Sequence, residues 1–119
     1  MIPERGTGKV ASIVVLVPPG DLLTDEANDA LAAAIQNAEQ AGVDSLVVDL
    51  RHVDLINSTG FGVLIDGFRR FKTRSAHFKL CAMTHRVRHI LTLTKLLPSM
   101  EAFESVEEAL ASFAPGART

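Results

Sequence analysis

The chain has 119 residues, of which 47% are hydrophobic and 22% charged, with a formal charge of −2 at pH 7. That is one domain with one core, it leaves no room for a second domain of ordinary size, and its slightly acidic balance excludes a general nucleic-acid binder. The absence of Trp and Tyr removes a base-stacking platform, and the single cysteine removes an internal disulfide and a cysteine-built zinc site.

Met1–Lys9 is polar and Gly-bearing, without the apolar stretch of a signal peptide, and reads as a loose lead-in. Ala114–Thr119, with Pro115 and Gly116, reads as a loose tail. No apolar run approaches the length of a membrane span, so a cytoplasmic chain without membrane insertion is expected.

Between these ends the pattern alternates. Val10–Val17 is rich in Val and Ile and stops at Pro18-Pro19-Gly20, which predicts a strand ending in a turn. Thr24 is placed to cap a helix whose first turns carry Asp25, Glu26 and Asp29, where the helix dipole favours acids. Ala27, Ala30, Leu31, Ala34, Ile35 and Ala38 follow as one apolar face, and Gly42 is placed to end the helix. Ser45–Leu50 suits a buried strand. Phe61, Leu64, Ile65 and Phe68 mark a helix from about Ser58 to Lys72. His77–Met83 is strand-like, with Phe78, Leu80 and Ala82 on one face. Thr84 is a cap for a helix with Val87, Ile90 and Leu91 inward, closed by Pro98. Met100–Phe103 fits a short strand, and Ser105 with Glu108 forms a capping box before Ala109, Leu110 and Phe113. Four β-then-α units in a row predict an α/β fold with a mostly parallel or mixed sheet of four to five strands, its crossover helices mainly on one side.

The chemistry concentrates after the second strand. Asn57-Ser58-Thr59-Gly60-Phe61-Gly62 sets two hydroxyls and two glycines at a helix start, where open α/β sheets put their working loops. Ser58 there reads as the N-cap. Gly60 and Gly62 read as permitting close packing of the helix start. Asp49, near the end of a buried strand, is a candidate to orient this loop by accepting backbone N–H bonds. Asp21, after Gly20, reads as a turn aspartate bonding its own backbone. The nucleophile elbow of a serine hydrolase is absent, because no glycine stands two residues before Ser58. Gly60-Phe61-Gly62 is not a dinucleotide fingerprint. His85 and His89 are four apart on a helix but flanked by Arg86 and Arg88, which fits a basic face better than a metal site. Cys81 reads as a small buried apolar residue, and Asp54 and Asp66 as surface charges.

Leu46–Phe71 (LVVDLRHVDLINSTGFGVLIDGFRRF) resembles the central signature of the STAS domain, found in bacterial anti-sigma factor antagonists, stressosome proteins and sulfate-transporter tails. Gly20-Asp21-Leu22 and Ser105–Leu110 resemble that family's early loop and its ending, so the resemblance covers residues 10–113, the expected domain. It implies that Ser58 matches the serine phosphorylated by a partner kinase, an ATP-using anti-sigma factor, with Thr59 the second candidate. It implies a partner-binding face around Asp21, Asn57, Ser58, Thr59 and Gly60, joined by Arg51 and His52. Phosphoacceptor and helix cap are compatible roles for Ser58. Asn57 stands where the family commonly has Asp, and the extra N-terminal strand common in the family has a poor candidate in Met1–Lys9. The expected function is a non-enzymatic, cofactor-free regulatory binding protein that joins its kinase when unphosphorylated. The other reading is a scaffold subunit of a stress-sensing or lipid-transport assembly, and a homo-oligomer fits either.

Overall fold

The computed structural model describes residues 12–93 and 101–113. The lead-in Met1–Lys9, the strand start at Val10, Pro98, Met100 and the tail Ala114–Thr119 lie outside the described residues. The elements are β1 (Ile13–Leu16), α1 (Asp25–Gln40), β2 (Ser45–Asp49), α2 (Ser58–Thr73), β3 (His77–Cys81), α3 (His85–Leu93), β4 (Glu101–Phe103) and α4 (Val106–Ala111). The four strands form one sheet in the order β1-β2-β3-β4, every pair parallel.

That order explains where the helices go. Each crossover steps to the next strand in the same direction, and a consistent crossover hand then puts every connecting helix on one face. Leu31 and Ile35 of α1, Leu64 and Phe71 of α2, and Val87 and Leu91 of α3 meet Leu46, Val48, Phe78 and Leu80 of the sheet in one core. Helix α4 lies on the opposite face, where Ala109 and Val106 pack with Val47 and Cys81. The central strands β2 and β3 are therefore buried on both faces except at His77, while β1 and the described part of β4 are only half-buried. That second face carries three buried polar residues, Ser45, Asp49 and Lys79, of which Lys79 is the longest. It is buried, donates to Ser112 Oγ at 2.7 Å, and its Nζ lies 4.0 Å from the Phe113 ring centre.

Local signals hold with some shifts. Thr24 Oγ1 caps α1 by accepting from Ala27 N, and Gly42 follows the helix end at φ +75°, which glycine adopts without strain. The buried row of α1 is Asn28, Leu31, Ile35 and Ala38, while Ala30 faces solvent. The expected face thus holds at Leu31, Ile35 and Ala38, with Ala27 and Ala34 half-buried at its edge, and differs in losing Ala30 and gaining Asn28. At β3 the ladder stops at Cys81, and Ala82 turns to φ 56° and joins the second cluster rather than the face of Phe78 and Leu80. Ser105 Oγ accepts from Glu108 N, but the Glu108 carboxylate reaches back to Glu104 N, one residue earlier than in a standard capping box.

Candidate functional site

A parallel sheet gathers the loops that follow its strands at one end. Two of them, after β1 and after β2, lock together here. Leu22 and Ile56 form a parallel bridge, with Leu22 N donating to Leu55 O at 2.9 Å and Asn57 N donating to Leu22 O at 3.0 Å. Asp21 completes the clamp from the side. Its Oδ1 accepts from Asp54 N at 2.8 Å and Leu55 N at 3.0 Å. Those two N–H groups, Asp54 first, hold the Asp21 carboxyl below its ordinary pKa of 3.8, and the Arg86 charge adds a little. So Asp21 does not bond its own turn, as expected from sequence; it pins the neighbouring loop.

The clamp delivers the chain to the start of α2. Asn57, not Ser58, is the N-cap, and its Oδ1 accepts from Gly60 N at 2.9 Å. The helix begins one residue earlier than a serine cap requires, because the Asn57 amide has further partners. Its Nδ2 donates to Leu23 O at 3.0 Å, and its Oδ1 also accepts from Asn28 Nδ2 at 3.1 Å. Phe61 N donates to Asn57 O at 2.9 Å. Ser58 is left as the first helical residue, exposed, and among the described residues its hydroxyl makes no hydrogen bond. Thr59 beside it is also exposed. The first turn of α2 carries no acid.

Gly60 sits beneath this surface rather than on it. A Cβ there would stand 2.8 Å from Asn28 Oδ1 and 3.0 Å from Leu22 Cβ, so glycine is required by close approach. Gly62 differs from expectation, since nothing lies within 4 Å of its missing Cβ and the helix start does not pack through it.

Asp49 is fully buried but does not reach the Ser58 turn. Its carboxylate takes Arg51 N at 3.0 Å and Arg51 Nε at 2.9 Å, two residues along. Burial raises its pKa, yet the Arg51 hydrogen bonds and the charges of Arg51 and His52 outweigh that, and the value falls below 3.8. Arg51 is thereby folded back at the loop's beginning, half exposed beside His52. Arg86 Nε pairs with Asp54 at 3.3 Å, which ties the start of α3 to the same loop. Among the described residues no group of three or more His, Cys, Asp or Glu side chains is placed to hold a metal ion, and none of the described helices is long and apolar enough to cross a membrane.

The structure thus brings Asp21, Asn57, Ser58, Thr59 and Gly60 into one unit of two clamped loops and a helix start. Two exposed apolar residues, Leu23 and Leu55, stand within that unit and were not singled out from sequence. Asn28 was missed as well. Its signal was readable, since it opens the row 28, 31, 35, 38, where a polar residue interrupts an otherwise apolar helical stripe.

Solved structures share this architecture. A candidate anti-sigma factor antagonist from Thermotoga maritima superposes with a TM-score of 0.76 at 21% identity, covering 83% of this chain and 86% of its own. A sulfate transporter family protein from Wolinella succinogenes gives 0.73 at 18% identity, covering 94% of each chain. The unphosphorylated anti-sigma factor antagonist SpoIIAA gives 0.72 at 21% identity over 87% and 89%, and the phosphorylated form of this Bacillus cell fate determinant gives 0.71. At these identities the likeness is one of fold. Residues 7–109 match the family model of the STAS domain, a span that includes every residue of the clamp and of the α2 start, and the chain belongs to that family.

Proposed function

We propose that the chain is a regulatory binding protein, an anti-sigma factor antagonist that binds an anti-sigma factor kinase while Ser58 is unmodified and lets go when Ser58 is phosphorylated. The observation that carries this is the division of labour at α2: Asn57 caps the helix, so the exposed Ser58 hydroxyl is not needed by the fold. SpoIIAA, which shares the fold, has both unphosphorylated and phosphorylated forms. The kinase carries the ATP, and this chain contributes no catalytic group of its own.

The switch follows from charge. A phosphate brings about two negative charges at neutral pH and several strong acceptors. At the first residue of α2 the unused Ser58 and Thr59 N–H groups and the helix dipole tolerate that charge, so the fold stays intact. Across a contact built on Leu23, Leu55 and the Ser58 turn, the same charge has to lose its water, which costs far more than an apolar contact returns. Release is therefore local repulsion, not unfolding.

A pull-down with Ser58→Ala and Ser58→Asp baits from the source cells tests this. The alanine bait is expected to retain an ATP-binding kinase that the aspartate bait loses. If both baits instead carry the same large assembly, or neither holds a kinase, the scaffold reading takes over. That second reading draws on Asn57, which gives the turn a neutral cap where antagonists commonly have Asp.

A further inference from the structure

We propose that Asn28 is the positioning residue of the Ser58 turn: it decides which side chain caps α2, and so whether the Ser58 hydroxyl stands free. Asn28 is 1% exposed, near the start of α1 and against Gly60 near the start of α2. Its Nδ2 donates to Asn57 Oδ1 at 3.1 Å. Its Oδ1 has no hydrogen-bond partner among the described residues and lies against Gly60, 2.8 Å from where a Cβ would be. Turning the Asn28 amide over does not rescue that oxygen, because it would then face the Asn57 Oδ1, acceptor against acceptor. A buried acceptor left unpaired is destabilising, and a leucine of similar size would avoid it. Stability alone therefore gives no reason for an asparagine here. The bond to Asn57 does.

That bond joins two others in holding one orientation of the Asn57 amide. Oδ1 receives Gly60 N and Asn28 Nδ2, while Nδ2 serves Leu23 O. The competing arrangement is built into the sequence, because Ser58 is itself a good cap. With the Asn57 amide released, the Ser58 hydroxyl accepts from Phe61 N three residues on, α2 starts one residue later, and the Gly60 N–H loses its partner. In that register the hydroxyl is engaged by its own helix. Asn28 holds the chain in the other one. The significance of this choice rests on the reading of Ser58 as phosphoacceptor, although the choice itself is a matter of geometry.

Residue-by-residue amide hydrogen exchange on the full chain tests it, with Asn28→Leu and Asn28→Ala, both of which lose the donor to Asn57. In both, protection of the Gly60 amide is expected to fall by about tenfold, the worth of one hydrogen bond. Phe61 and Gly67 are expected to keep theirs, and the Asn57 side-chain amide resonances are expected to move. The thermal midpoint of Asn28→Leu is expected to match or exceed that of the wild type. Unchanged Gly60 protection would overturn the proposal. So would a joint fall at Gly60, Phe61 and Gly67, which is the mark of a general loosening. Should Asn28→Leu not fold, Asn28→Ala carries the same two outcomes. The readout needs no partner, so a Ser58 that no kinase modifies would sink the function and leave this result standing.

Discussion

A methyl group at position 60 has nowhere to go, whereas one at position 62 meets nothing within 4 Å. Gly60→Ala is therefore expected to lower stability by about 1–3 kcal/mol through overpacking. Gly62→Ala, in the same helix, is expected to raise it by about 0.5–1 kcal/mol through a less flexible unfolded chain. Urea unfolding of the two variants reads both signs. The Asp21 carboxylate belongs to the same scale. Its folded pKa is depressed below 3.8 by the Asp54 and Leu55 N–H groups, so its contribution is present above that value and lost as pH falls through the folded one. Asp49 adds to the same acid loss. The drop in urea midpoint between pH 7 and pH 3 is expected to shrink in Asp21→Asn without vanishing. An unchanged drop would remove Asp21 from the clamp's account.

Helix α2 is where sequence and structure part most instructively. Its face, its length and its place after a buried strand are all legible in Phe61, Leu64, Ile65 and Phe68. Its first residue is not. Asn and Ser are near-equal caps, and a window around position 58 holds nothing to choose between them. The choice comes from Asn28, 29 positions upstream, and from the carbonyl of Leu23. Asp49 shows the same limit on a shorter range, because both a loop N–H and a neighbouring arginine satisfy a buried carboxylate, and only the fold says that Arg51 does. The alternation of elements, by contrast, already implies a mostly parallel or mixed sheet with its helices mainly on one side; in the sheet every pair is parallel, and the strand order makes the three crossovers one-sided. The lower half of α2 depends on Gly67, whose Cβ would come within 2.9 Å of Phe78 Cε2 and 3.1 Å of Ile35. Gly67→Val is expected to cost about 1–3 kcal/mol, again by overpacking, while leaving Gly60 protected in hydrogen exchange. That outcome would separate the helix's packing from its cap.

Taken as a whole, the molecule has a thick side and a thin one. Three helices back the sheet on the face of Leu46, Val48 and Leu80, and among the described residues the other face has one helix, the six-residue α4, packed with Phe103 and Phe113 about Val47 and Cys81. The Ser58 turn is borne by the thick side, so a charge placed there is held on well-anchored structure. Ser58→Asp is expected to leave the thermal midpoint within about 2–3 °C of the wild type, a shift below 1 kcal/mol for a chain of this size. A larger fall would mean that phosphorylation acts by loosening the fold. The thin side has its own use. Cys81, the chain's single cysteine, lies there fully buried, with burial pushing its thiol up to about 11. The reactive thiolate is thus scarce at neutral pH, and a disulfide reagent has no path to it until α4 lifts or the whole fold opens. The native chain carries its own chemical clock. In buffer the label is expected to enter slowly, and each molecule that takes it up has opened. How steeply the labelling rate climbs with urea then tells a lifted α4 from global unfolding, since the slope grows with the surface exposed.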